Sequence, residues 1–109
     1  MKIYIAGRMT GIPNYNRPAF YEMAGKLISK GYSPVHTADM PLGLKYEDYM
    51  EESFKRLKEC EAVLLLEGWD LSAGAMREIY FAHKNGIRIA TNFDELKKFK
   101  KEKINDTKI

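Results

Sequence analysis

The stretch "GWDLSAGAMREIY", residues 68–80, places a glycine, a tryptophan, a serine and a later glutamate directly behind the apolar run "AVLLL". A strand ending this way sends the chain through a turn and into a helix start. Backbone N–H groups at a helix N-terminus, with the macrodipole behind them, favour an anion. Ser72 adds a hydroxyl at that point, and Gly74 leaves room for close approach. A capping box would want its carboxylate at position 75, which is Ala75, so Glu78 lies about one turn deeper. From there it can face the same crevice as Ser72, although a solvated helix glutamate would satisfy the same spacing. Trp69 reads either as a surface on which a base stacks or as an aromatic packed at the strand end.

A second cluster is "YIAGRMTG", residues 4–11. The hydroxyl of Tyr4 can reach Glu78 if the first strand lies beside the third; a strand tyrosine is also commonly a core residue with a polar tip. Gly7 and Gly11 can hold backbone close to a ligand, and Arg8 or Arg17 can meet a phosphate. The spacing G-x-x-x-G is not a dinucleotide fingerprint, and no phosphate-loop motif is present, so ATP, GTP and NAD are unsupported. Asp48, Glu51, Glu52 and Asp70 are further carboxylates, able to assist with protons or to remain solvated. His36 and His83 lack a partner at metal-ligand spacing, and the expectation is no metal and no cofactor.

The elements that must position these residues follow from periodicity. "KIYIA" at 2–6 reads as a strand, "RPAFYEMAGKLISKG" as a helix with Pro18 in its first turn and Gly31 past its end, and "YSPVH" as a weak strand. Pro34 confines that strand to an edge or an irregular pairing. Phe20, Ala24, Leu27 and Ile28 form the apolar face of the first helix. A second helix spans about 46–60 with Met50, Phe54 and Leu57 inward. "EAVLLLE" at 61–67 is apolar enough for burial on both faces, the mark of a central parallel strand. A third helix opens at Ser72 and closes near Gly86, a fourth strand is "IRIAT" at 87–91, and a final helix is capped at Asn92.

This alternation predicts an α/β domain: an open, doubly wound parallel sheet of four to five strands, flavodoxin- or Rossmann-like, with helices on both faces. One domain over residues 1–101 is expected, followed by a polar tail at 102–109 that frays. Ligands of such sheets bind beyond the carboxyl ends of the strands, which selects the loops at 7–17, 37–45, 68–72 and 91–92.

Bulk properties narrow the partners. The 109 residues fit a single domain, and the net charge of +3 owes much to "KKFKKEK" at 97–103. Elsewhere charge is nearly balanced, so no nucleic-acid polymer is indicated, while a small anionic ligand fits. Cys60 is the only cysteine, which excludes an intrachain disulfide. No apolar run approaches the roughly 18 residues of a membrane span, and the N-terminus lacks a secretory signal. A cytoplasmic location without membrane attachment is expected.

The segments "KIYIAGRMTG", "YNRPAF", "DYM" and "CEAVLLLEGWDLSAGAMREIYFA" together resemble the nucleoside 2-deoxyribosyltransferase-like family, over roughly residues 2–91. The resemblance is in particular to its small phage and bacterial branch, and related deoxynucleoside monophosphate N-glycosidases share S-x-G-x-x-x-E. The resemblance implies Glu78 as the nucleophile that forms a deoxyribosyl ester and Tyr4 as the residue that positions it. It further implies sugar or phosphate contacts at Ser72 and Gly74, and a loop glycine at Gly7. Trp69, Arg8 and Asp48 complete the expected substrate contacts.

Two departures stand out. Ser53 occupies the place of a family aspartate, which leaves Asp48 or Glu52 to substitute, and Arg8 stands where proline is common. The implied activity is cleavage or transfer at the N-glycosidic bond of a 2′-deoxynucleoside or its 5′-monophosphate. The alternative is a catalytically inactive nucleotide-binding or sensing module on the same fold. A homodimer or larger homo-oligomer is also implied.

Overall fold

Alternation along β1 (Lys2–Ala6) sends Ile3 and Ile5 to one side of a sheet and Tyr4 and Ala6 to the other, and all four are buried. A strand buried on both faces belongs in the interior of a parallel sheet. In the computed structural model, which describes residues 1–107 and the side chains of 1–101, β1 lies between β2 (Ser33–Val35) and β3 (Ala62–Leu65). β4 (Arg88–Ala90) pairs with the far side of β3, giving the order β2-β1-β3-β4 with every pairing parallel. The architecture is the doubly wound α/β sheet expected, with four strands. Pro34 sits in β2 at the sheet edge, where a missing N–H costs least.

Helices α1 (Arg17–Ser29) and α4 (Phe93–Thr107) cover one face, packing Phe20, Leu27 and Leu96 onto Ile3, Ile5 and Leu64. Helices α2 (Tyr46–Lys58) and α3 (Ala73–Lys84) cover the other, packing Leu57 and Ala82 onto Tyr4, Ala6, Val63 and Leu65. Gly31 and Gly86, at φ of 87° and 71°, close α1 and α3 in the same way. In each, the next residue returns its N–H to a helix carbonyl, Tyr32 to Leu27 and Ile87 to Ala82. Asn92 caps α4 through Glu95 N–H at 2.9 Å.

Some expectations are corrected. Ile28 is 63% exposed, because the inward stripe of α1 runs through Phe20 and Leu27 and Ile28 falls beside it. Helix α4 continues past Lys101 to Thr107, so most of the expected tail is helical; its last two residues, 108 and 109, lie outside the described residues.

The chain steps from β1 to β2 in one direction and then crosses to β3 on the other side, so the strand order reverses between β1 and β3. A crevice therefore opens at their carboxyl ends. Gly7 stands at its base, and a Cβ added there would lie 2.8 Å from both Cβ and Cδ1 of Leu66. Leu66 is held in place by its N–H bond to the Ala6 carbonyl, 2.9 Å. The need for glycine at position 7 is thus a packing need. Gly7→Ala should lower the free energy of unfolding in urea by about 1–3 kcal/mol; a change under about 0.5 kcal/mol would show that the two segments separate freely.

Candidate active site

Glu78 lies on the inward stripe of α3 with Ala75 and Ala82, and only 5% of it is exposed. Two hydroxyls from two other elements meet it. Tyr4 of β1 and Ser53 of α2 both donate to Oε2, and their own oxygens are 2.8 Å apart. Tyr4 and Ser53 are fully buried. Burial pushes the Glu78 carboxyl up to about 7, against the downward pull of the Ser53 and Tyr4 hydrogen bonds. Burial and the Glu78 charge hold the Tyr4 phenol well above its ordinary range, so it remains a donor.

The other carboxylate oxygen faces outward. Among the described residues no hydrogen bond reaches Oε1, yet no buried side-chain oxygen or nitrogen there lacks a partner, and Glu78 lines a cavity. Oε1 is therefore the atom presented to that cavity. Its volume is about 650 Å³, within the size range of small-molecule sites.

Loops after β1, β2 and β3 build the walls. Ser72 caps α3, its Oγ accepting the Ala75 N–H at 3.1 Å, which leaves its own proton free to donate inward. The N–H groups of Ala73 and Gly74 in that first turn have no intrahelical acceptor. A Cβ at Gly74 would meet Met50 Sδ at 3.7 Å, Ser72 Oγ at 3.9 Å and Tyr46 Oη at 4.0 Å, ordinary contacts. The protein would tolerate alanine there, so glycine keeps cavity space open. Arg77 ties this wall to α2: it pairs with Glu47 at 2.9 Å and stacks over Tyr46.

On the opposite wall Arg8 lines the cavity, with Nε 3.3 Å from the Thr10 carbonyl. Arg17 also lines it but is committed to the loop after β2, bonding the carbonyls of Ala38 at 2.9 Å and Met40 at 3.4 Å. Arg56 holds the same loop from α2 through the His36 carbonyl and Asp39. Asn14, Tyr15 and Asn16 all take left-handed φ of 54–59°, a conformation costing an L-residue roughly 1–2 kcal/mol. Asn16 secures this turn on the Arg8 carbonyl at 2.9 Å, and Tyr15 becomes part of the wall.

The structure thus brings Tyr4, Gly7, Arg8, Ser72, Gly74 and Glu78 to one place. Two expected residues lie elsewhere. Trp69 packs on the core cluster of Tyr4, Ala6, Val63 and Leu65, because the turn after β3 folds it back toward the sheet. Asp48 is exposed in the first turn of α2, off the inward stripe of Met50, Ser53 and Leu57. Neither carboxylate suggested as a substitute at position 53 enters the cavity, and Glu52 instead bonds Arg56 at 3.2 Å. Ser53 fills that place itself.

Sequence reasoning passed over Tyr49. It bonds Thr37 Oγ1 and donates to Met9 Sδ at 3.1 Å, on the cavity wall, and burial pushes its phenol up to about 12. Among the described residues no group of three His, Cys, Asp or Glu could hold a metal ion. No helix among them is long and apolar enough to cross a membrane.

A family described as Domain of unknown function (DUF4406) matches residues 1–91. The chain belongs to the DUF4406 family. The match contains every cavity residue and ends just before α4. No curated protein matches the chain. The description of DUF4406 names no reaction, so the functional reading rests on the site.

The raised carboxyl of Glu78 links charge to stability. Its folded value of about 7 lies above the ordinary 4.5, so its favourable contribution is complete below pH 4.5 and lost as pH rises through 7. Above pH 7 the buried charge costs about 3 kcal/mol. Glu78→Gln should therefore stabilise the protein by up to about 3 kcal/mol at pH 8.5 and by little at pH 4.5, read by urea denaturation. Equal stability of the two proteins at pH 8.5 would contradict this.

Proposed function

We propose that this site cleaves or exchanges the N-glycosidic bond of a 2′-deoxynucleoside or its 5′-monophosphate. The observation that carries the reading is a buried glutamate with one oxygen held by two hydroxyls and the other open to a cavity beside a helix start. The resemblance in "YIAGRMTG" and "GWDLSAGAMREIY" points to the same chemistry.

Oε1 attacks the anomeric carbon as the carbon–nitrogen bond breaks, and the bonding electrons leave with the base, which takes a proton from solvent. Charge at the anomeric carbon makes the transition state oxocarbenium-like, and a carboxylate beside it stabilises that charge. In the glycosyl ester, Oε2 is the carbonyl oxygen, still held by Tyr4 and Ser53. Water, or a second base, then attacks the same carbon. The bond to Oε1 breaks, the carboxylate returns, and the attacking group loses its proton to solvent.

Ser72, the free N–H groups of Ala73 and Gly74, and Arg8 suit a 5′-phosphate, which favours hydrolysis of a monophosphate over base exchange. Leu42, Leu44 and Leu71 stand exposed around the mouth, and a second copy of the chain covering them accords with the homo-oligomer that the resemblance implies. A cytoplasmic small-molecule enzyme is the resulting picture. A second reading, a nucleotide-binding or sensing module, is favoured by one observation: among the described residues no carboxylate besides Glu78 lines the cavity, so no Asp or Glu stands ready to protonate the departing base.

Purified protein incubated with pooled deoxynucleosides and deoxynucleoside monophosphates, followed by chromatography, tests both readings. Release of free base should fall by on the order of 10³-fold or more in Glu78→Gln. The wild-type kcat/KM should climb with pH through about 7 as Glu78 ionises, then level. Saturable binding without base release, unaffected by Glu78→Gln, would select the sensing module. Gly74→Ala should fold normally and weaken substrate binding at least about tenfold, a factor worth some 1.4 kcal/mol; unchanged affinity would place the ligand elsewhere in the cavity.

A further inference from the structure

We infer that Ser53 is a positioning residue: together with Tyr4 it holds one oxygen of the Glu78 carboxylate so that the other is presented to the cavity. The inference rests on the glycosidic reading for its catalytic meaning, but its physical content does not. Position 53 lies where the resemblance leads one to expect an aspartate, and a serine there suggests a lost function. The geometry gives it a different meaning.

Ser53 is fully buried on the inward stripe of α2, between Met50 and Leu57, and its hydroxyl points at Glu78 Oε2. A serine placed there for packing alone would leave a polar group among apolar neighbours, which is costly unless it is bonded. Its two partners are Tyr4 and Glu78.

Counting protons shows what the arrangement does. Three oxygens, Tyr4 Oη, Ser53 Oγ and Glu78 Oε2, stand within hydrogen-bonding distance of one another. With Glu78 ionised there are two protons for three edges. Both then point at the carboxylate, and the edge between Tyr4 and Ser53 carries none. With Glu78 protonated there are three protons, and the ring closes. The ionised state thus gains two charge-assisted bonds, each roughly twice the strength of a neutral one. Against it stands burial, which favours the neutral carboxyl. Ser53 supplies one of the two bonds on the ionised side.

Tyr4 from β1 and Tyr49 from α2 face Glu78, both held protonated, while Tyr46 from α2 and Arg8, Tyr15 and Arg17 also line the cavity. No carboxylate among these groups replaces what Ser53 does. In the proposed reaction Ser53 touches neither sugar nor base. It acts through Glu78, keeping Oε2 as the bonded oxygen before attack and as the carbonyl of the ester afterwards.

The test is a titration of the Glu78 carboxyl by NMR in protein labelled with carbon-13 glutamate, the resonance being assigned by its loss in Glu78→Gln. Ser53→Ala removes one donor from the ionised form and should raise the Glu78 midpoint by about one pH unit. Ser53→Thr keeps the hydroxyl and should restore the midpoint. If Ser53→Ala does not fold, Ser53→Cys replaces it: the thiol is a weak donor of similar shape, and the midpoint should still move up. An unmoved midpoint in a folded variant of either kind overturns the inference.

Kinetics give the second readout. The rising limb of the pH–rate profile should move up with the midpoint in Ser53→Ala, with kcat reduced more than KM is changed. A profile displaced by the same amount in Ser53→Thr would reveal a merely structural role. The two readings fail separately. No base release from the wild type overturns the glycosidic reading, and the titration alone then decides the role of Ser53. Base release with an unmoved midpoint overturns only that role.

Discussion

A carboxylate taken out of water at the carboxyl end of a parallel sheet must be met by donors, and most of this small domain is arranged around that need. An isolated ionised group in a protein interior neutralises itself unless hydrogen bonds hold the charge. Here the donors come from a strand and a helix distant from Glu78 in sequence, Tyr4 and Ser53, separated from it by 74 and 25 positions. The contact therefore exists only when β1 lies beside β3 and α2 beside α3. The parallel pairing of Tyr4 with Val63 supplies the first condition. Stacking of Phe54 on Phe81 at 4.6 Å, with Arg77 bound to Glu47 on the rim, supplies the second.

The same need explains why the cavity walls carry so much polar bracing. The loop after β2 has little regular structure to hold it, and two arginines do so, Arg17 from α1 and Arg56 from α2. The turn after β1 holds three successive left-handed residues that no glycine relieves. Strain of this kind persists only where surrounding contacts over-determine it, and it tends to collect beside sites. In this chain the strained turn delivers Tyr15 to the wall and is fastened through Asn16 to the residue that follows Gly7.

Much of this was legible in the sequence, because the signals were local. The apolar run of β3, the proline in β2 and the glycines closing α1 and α3 each act within a few residues, and so does Ser72 as a cap. The placement of Glu78 was only half legible: one turn beyond Ser72 it could face the crevice or solvent, and burial beside Ala75 and Ala82 decides between them. Trp69 and Asp48 misled because nearness in sequence to a crevice loop says nothing about which way a side chain turns. Trp69 turns back to the core, and Asp48 turns to solvent. The hydroxyl at position 53 was visible on the stripe of Met50 and Leu57, but its partner is on another helix, and periodicity does not name partners.

The serine at position 53 also bears on how a buried carboxylate can be held in order without a second carboxylate beside it. An aspartate there would lie against Glu78, and two carboxylates in one buried site cannot both ionise at neutral pH; one must hold a proton. Such a pair can bond Oε2 only through that shared proton. A serine makes the same bond at any pH without adding charge, since its hydroxyl does not titrate in the working range. A serine in place of an aspartate therefore supplies no proton reservoir, but it gives Glu78 two donors on one oxygen and leaves the other oxygen free. In the proposed reaction, the leaving base would then receive no acid help from position 53. The orientation of the Glu78 carboxylate does not depend on a carboxylate there, so the proposed reaction would turn on how readily the base departs.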